Sequence, residues 1–177
     1  MRWEQLRAED GAARQEALAA LLAATEQPVD WAYEVWDQLV ATLSHKDGHQ
    51  RAIAAQLLCN LARSDPEQRV LRDFDALLAV TRDAKFVTAR HSLQAIWKIG
   101  AVSPEHQRLL VERLAQRFRE AAAEKNGTLV RYDIIEGMRK LYEQVPDAQL
   151  RELALALIAT ETESKYQKKY AAVWRKT

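Results

Sequence analysis

A chain of 177 residues, 48% apolar and 29% charged, can bury one sizeable core and is too apolar to be disordered. Its net charge of +1 gives no global field toward nucleic acid or an acidic surface. A single cysteine, Cys59, excludes intramolecular disulfides and suits a reducing compartment.

The opening "MRWEQLRAED" lacks the apolar segment of a signal peptide. The apolar runs "ALAALLAA" and "LALALIA" are too short to span a bilayer, so a soluble, cytoplasmic, single-domain protein over residues 1–177 is expected. Apolar residues recur at i, i+3, i+4 and i+7, which predicts helices throughout and no strand. The first helix is predicted near residues 2–8 and its partner near 12–25, with Asp10-Gly11 turning the chain between them. The next pair lies near 30–43, with Trp31, Val35, Leu39 and Leu43 on its buried face, and near 49–63, opened by Asp47-Gly48. In both turns the aspartate is placed to cap the second helix.

The third pair is predicted near 66–81, with Val70, Phe74 and Leu77 inward, and near 85–99. Ser64-Asp65-Pro66-Glu67 and, later, Ser103-Pro104-Glu105 suit a start in which Ser or Asp caps and proline takes the first helical position. The fourth pair spans about 104–123, with Leu110, Leu114 and Phe118, and 128–144. The stretch "EKNGT" between them reads as a longer turn. Helices near 147–160, with Leu150, Leu153 and Leu157, and 164–176 complete the chain. Each apolar stripe is a core face rather than a cofactor box.

Two markers show that these pairs repeat. The prolines Pro28, Pro66, Pro104 and Pro146 are 38, 38 and 42 residues apart. A pattern of Arg or Ala followed by small and aliphatic positions starts at Arg14, Arg51, Ala89 and Arg131, spaced 37, 38 and 42. Arg51, Ala54, Leu57, Leu58 and Leu61 state it most fully. Small residues at the third and sixth offsets let a partner backbone approach closely.

The stretch from Asp47 to Leu61, with "AIWKIG" at Ala95 to Gly100, resembles the HEAT repeats of α-solenoid proteins, and the resemblance covers essentially the whole chain. It departs at Ala89, where the arginine is missing and Arg90 follows. The resemblance implies an all-α, right-handed α-solenoid of about five stacked helix pairs, with second helices lining the concave surface.

Catalytic chemistry finds no foothold. There is no Gly-rich phosphate loop, Cys-x-x-Cys or His-Glu-x-x-His, so no cofactor, metal ligand or catalytic residue is assigned. Cys59 and His91 differ by six positions in repeat phase, about 9 Å along neighbouring helices and beyond hydrogen-bond reach. Asp30, Glu34 and Asp37 share a face that reads as solvated. Some DNA glycosylases for alkylated purines resemble this scaffold, but they use a Trp with an Asp four residues later. Here Trp3, Trp31, Trp36 and Trp97 are followed at that spacing by Arg7, Val35, Val40 and Ala101.

The residues expected to face away from the core on the second helices include Gln56 and Asn60; Arg90, His91, Gln94, Trp97 and Lys98; and Tyr132, Asp133, Glu136 and Lys140. Ala52, Ile53, Cys59, Arg63, Arg139 and Glu143 share those phases. Trp97 lies about 140° from the centre of its helix's apolar face, either as an interface anchor or as a wedge between repeats. These residues make a protein or peptide partner, bound by a monomeric non-catalytic module, the leading expectation. A nucleic-acid-associated module is the alternative, using Arg90, Lys98, Arg139, Lys140 and the basic C-terminal helix. An enzyme or accessory lyase is a third possibility. From Lys165 to Thr177 the chain holds five Lys or Arg and no acid. Tyr166, Tyr170 and Trp174 recur there every four residues, as in a terminal capping helix or a binding element.

Overall fold

The computed structural model describes Leu6 and residues 10–175. All regular structure among them is helical: α1 Gly11–Ala24, α2 Ala32–Thr42, α3 Gly48–Leu61, α4 Arg69–Ala79, α5 Phe86–Gly100, α6 Pro104–Glu120, α7 Gly127–Gln144, α8 Ala148–Ala159 and α9 Ser164–Arg175. Short 3-10 turns extend α3, α4 and α6 over Ala62–Ser64, Val80–Arg82 and Ala121–Ala123. The first helix expected near residues 2–8 lies outside the described residues except for Leu6, which is buried.

The helices stack as a solenoid. The odd-numbered helices form one layer in which α1 packs on α3, α3 on α5, α5 on α7 and α7 on α9. The even-numbered helices form the other layer, and each packs on its own partner, α2 on α3, α4 on α5, α6 on α7 and α8 on α9. The core is one continuous cluster along the seam, including Leu39, Ala54, Leu58, Phe74, Ile96, Leu110, Ile134, Leu141 and Leu157. Ala54 is fully enclosed, as close helix approach at a small position requires.

Local chemistry sets most boundaries as expected. Asp10 and Asp47 accept hydrogen bonds from the amides of Ala12 and His49, capping α1 and α3. Ser103 caps α6 through the His106 amide, with Pro104 at the first helical position. Two expectations are corrected. Pro66 does not open α4, because the chain first makes a turn that puts Gln68 at φ 55°. Asp65 then reaches past it to accept from the Val70 amide at 2.7 Å and from the Tyr33 hydroxyl at 2.6 Å, while Ser64 accepts from the Val29 amide. The extra residues of the fourth unit do not lengthen the turn at "EKNGT". They extend α6, which has 17 residues against 11 in α4.

Ion pairs fasten several units to the next. Arg51 donates to Asp83 at 2.5 and 2.8 Å and to the His45 carbonyl at 2.6 Å. Arg131 donates to Glu161 at 2.7 Å. In both cases the acid lies three residues before the following second helix. The arginine beside Asp83 holds that carboxyl below the usual carboxylate range, against the opposing effect of burial. The third unit has Ala89 at the arginine position. There Glu124, at the matching place before α7, is instead held by Arg117 of α6 at 2.5 and 2.9 Å. A cavity of about 230 Å³ lined by Ala89, Arg117 and Glu124 remains.

Candidate interaction surface

The second-helix face carries the residues singled out by repeat phase, but the structure divides them. On α3 the expected face is largely covered: Ala52, Ile53, Cys59 and Asn60 are all buried. The reason is positional. A central second helix has neighbours on both sides, so most phases that point away from its own partner meet α1 or α5 instead. Asn60 donates to the Leu22 carbonyl at 3.1 Å and to Thr25 Oγ1 at 3.0 Å, and accepts from Lys98 Nζ at 2.6 Å. It ties three consecutive units together and presents no free group to the surface. Gln56 is half-buried, donating to the Ala52 carbonyl at 3.1 Å, and Arg63 is exposed.

On α7, Asp133 is also buried. It accepts from Arg90 Nε and Nη2 at 2.7 and 2.8 Å and weakly from Gln94 at 3.4 Å. This charge-assisted fork raises the Arg90 pKa, against some desolvation. Asn60 and Asp133 are therefore corrected from surface contacts to internal clamps, whose burial is tolerable because their polar atoms are matched.

What remains exposed or half-exposed is a coherent patch: Gln56, Arg90, His91, Gln94, Trp97, Lys98, Tyr132, Glu136 and Lys140. His91 and Gln94 of α5 are the most open, with Trp97 half-buried one turn further along. Trp97 packs on the core cluster. Its Cβ lies 3.6 Å from where a Cβ on Gly137 of α7 would stand, an ordinary van der Waals separation. Burial lowers the Lys98 pKa; Arg63 and Lys140 push the same way and Glu26 opposes them. Lys140 lies 3.5 Å from Glu136, and Arg139 2.8 Å from Glu143.

The patch has little reactive chemistry. The Cys59 thiol is fully enclosed and pushed up to about 12 by burial, so it stays protonated and inaccessible. Among the described residues no His, Cys, Asp and Glu come together in a metal-holding group.

Two features escaped the sequence. A cleft of about 560 Å³ opens between α6 and α8, floored by Val111, Ala115, Leu150 and Leu153 and flanked by Arg108 and Arg119. Leu153, expected in the core, is only half-buried at its edge; a helical stripe shows the inward side and not how far two helices splay. The second is the division of labour on α9. Tyr170 and Trp174 are 0% and 8% exposed. The Tyr170 hydroxyl donates to the Thr128 carbonyl at 2.8 Å, and Trp174 Nε1 to that of Ile135 at 3.3 Å. The aromatic face closes the end of α7, while the lysines point outward.

No family model matches the chain, and no curated protein matches it. Among solved structures it is similar to a designed armadillo repeat protein, with 16% identity, 97% of this chain and 96% of that chain covered, and a TM-score of 0.46. No helix among the described residues is long and apolar enough to cross a membrane.

Proposed function

We propose that this chain is a non-catalytic, monomeric, HEAT-like module of the cytoplasm that binds a protein or peptide partner on the concave face lined by its second helices. The observation that carries this reading is Trp97. It is half-buried against the core cluster, on the same helix as the exposed His91 and Gln94 and the half-buried Lys98. A rigid aromatic ringed by hydrogen-bonding groups is the composition of an interface hot spot. The Arg90–Asp133 fork and the Asn60 clamp hold the surrounding helices in place, so little ordering is needed on binding. Arg90, Arg139 and Lys140 are each matched by an acid of the chain, which leaves them poorly suited to holding phosphates.

Selection from a random peptide library on the immobilised protein tests this. Selected peptides should share a recognisable sequence and lose about 2 kcal/mol or more of affinity for Trp97→Ala, and a smaller amount for Gln94→Ala. Trp97→Ala should remain folded while melting lower, since the residue packs on the core cluster. Peptides that bind Trp97→Ala and His91→Ala as tightly as wild type would remove the patch from consideration.

A further inference from the structure

We infer that the outer stripe of α9, together with the tyrosines beside it, binds single-stranded nucleic acid through its phosphates and its stacked bases. Lys165, Lys168, Lys169 and Arg175 are all exposed. They lie at i, i+3, i+4 and i+10 along one side of the helix, over about 15 Å at 1.5 Å per residue. None of them forms an ion pair among the described residues, whereas Arg51, Arg90, Arg117, Arg131, Arg139 and Lys140 all do. The acids nearby are Glu163 just before the helix, Glu161, already held by Arg131, and Glu136, already beside Lys140. Among the described residues the stripe thus gathers four cations of a single helix, none of them in an ion pair.

Three kinds of polyanion could meet it, and the neighbouring rings choose between them. A lipid surface would need the apolar side of α9, but Tyr170 and Trp174 are spent on α7. An acidic peptide would use the cations alone. Tyr132 and Tyr166, however, are half-buried beside the stripe. Lys169 Nζ lies 4.6 Å from the centroid of Tyr132, and Lys165 Nζ 5.5 Å from that of Tyr166. Tyr166 is itself braced by stacking on Tyr170 at 6.5 Å. On meeting an unpaired strand, Lys165 and Lys169 would swing from these rings to its phosphates and leave the faces they cover to its bases. The two sites share only Tyr132, and the lysine and Tyr166 substitutions leave the Trp97 patch untouched, so either can fail without the other.

Fluorescence anisotropy of labelled oligothymidylate with the full chain, repeated across a salt series, tests the inference. Three to four phosphate contacts predict a slope of log affinity against log salt of about −2 to −3. The double variant Lys168→Gln/Lys169→Gln should weaken binding about tenfold or more and flatten the slope by roughly half. Tyr166→Leu should weaken it roughly tenfold with the slope unchanged. Equal binding by the lysine double variant, a flat salt dependence or no binding overturns the proposal. Competition by polyglutamate, duplex of the same length or phosphatidylserine vesicles as effective as by unlabelled oligothymidylate also overturns it, in favour of an undiscriminating basic surface.

Discussion

His106 is buried beneath the start of α6, with Nδ1 2.7 Å from Ser103 Oγ and Nε2 without a partner among the described residues. Burial holds its imidazole below the ordinary histidine range, against weaker opposite pulls from Asp65 and Glu105. The unfolded chain, titrating near about 6.5, therefore binds the proton before the folded one does. Stability is full above that pH and drains as pH falls below it. The carboxyls of Asp73 and Asp83, lowered chiefly by their arginine partners, give up their share only in more acidic solution. Between about pH 7.5 and 5.5 the melting temperature of wild type should therefore fall, and His106→Gln should flatten that fall. An equal slope in the variant would assign the effect elsewhere. Nothing in the sequence marked His106, since a histidine three residues past a capping serine looks the same whether it faces water or core.

At the scale of the element, two glycines of α7 behave in opposite ways. A Cβ at Gly127 would stand 1.9 Å from the Ala121 carbonyl oxygen, a backbone atom with no room to retreat. Gly127→Ala should therefore shift the turn and destabilise by about 2 kcal/mol or more. A Cβ at Gly137 would meet only ordinary contacts at 3.6 and 3.9 Å. Gly137→Ala should stabilise by about 0.5–1 kcal/mol through the restricted unfolded chain. Urea unfolding of both variants checks the pair, and a loss at Gly137 would mean that the Trp97 side chain tolerates no crowding. These elements were largely legible from the chain. Aspartate before glycine and serine before proline announced the caps at Asp47 and Ser103, because a cap depends on three or four consecutive residues. The helix expected near 104–123 is matched by α6 and its 3-10 turn, and only "EKNGT" reads as longer than it is, because Asn and Gly mark a turn without giving its length. The burial of Asn60 and Asp133 was hidden for another reason. Phase around one helix shows which side faces its partner, but not how closely the helices of adjacent units flank it.

On the scale of the whole molecule, stability in a stack is carried by contacts between neighbours. Removing residues 164–177 would strip Tyr170 and Trp174 from α7 and leave Tyr132, Tyr142 and the rest of that flank bare. The truncated chain should lose at least about 3 kcal/mol and unfold less cooperatively, as thermal melts followed by circular dichroism would show; an unchanged melt would make α9 an appendage.

The enclosure of Cys59 has a use beyond ruling out nucleophilic chemistry. Its helix lies between α1 and α5, so the thiol can meet a solvent reagent only when the middle of the stack parts. Under native conditions the rate of modification by a disulfide reagent reports the free energy of that parting whenever reclosing outpaces labelling. A free energy equal to that of global unfolding would mean that the middle units open only when everything does. A smaller value would show the row dividing at the Asn60 junction. The chain's single sulfhydryl is thus an internal gauge of whether the stacked units behave as one.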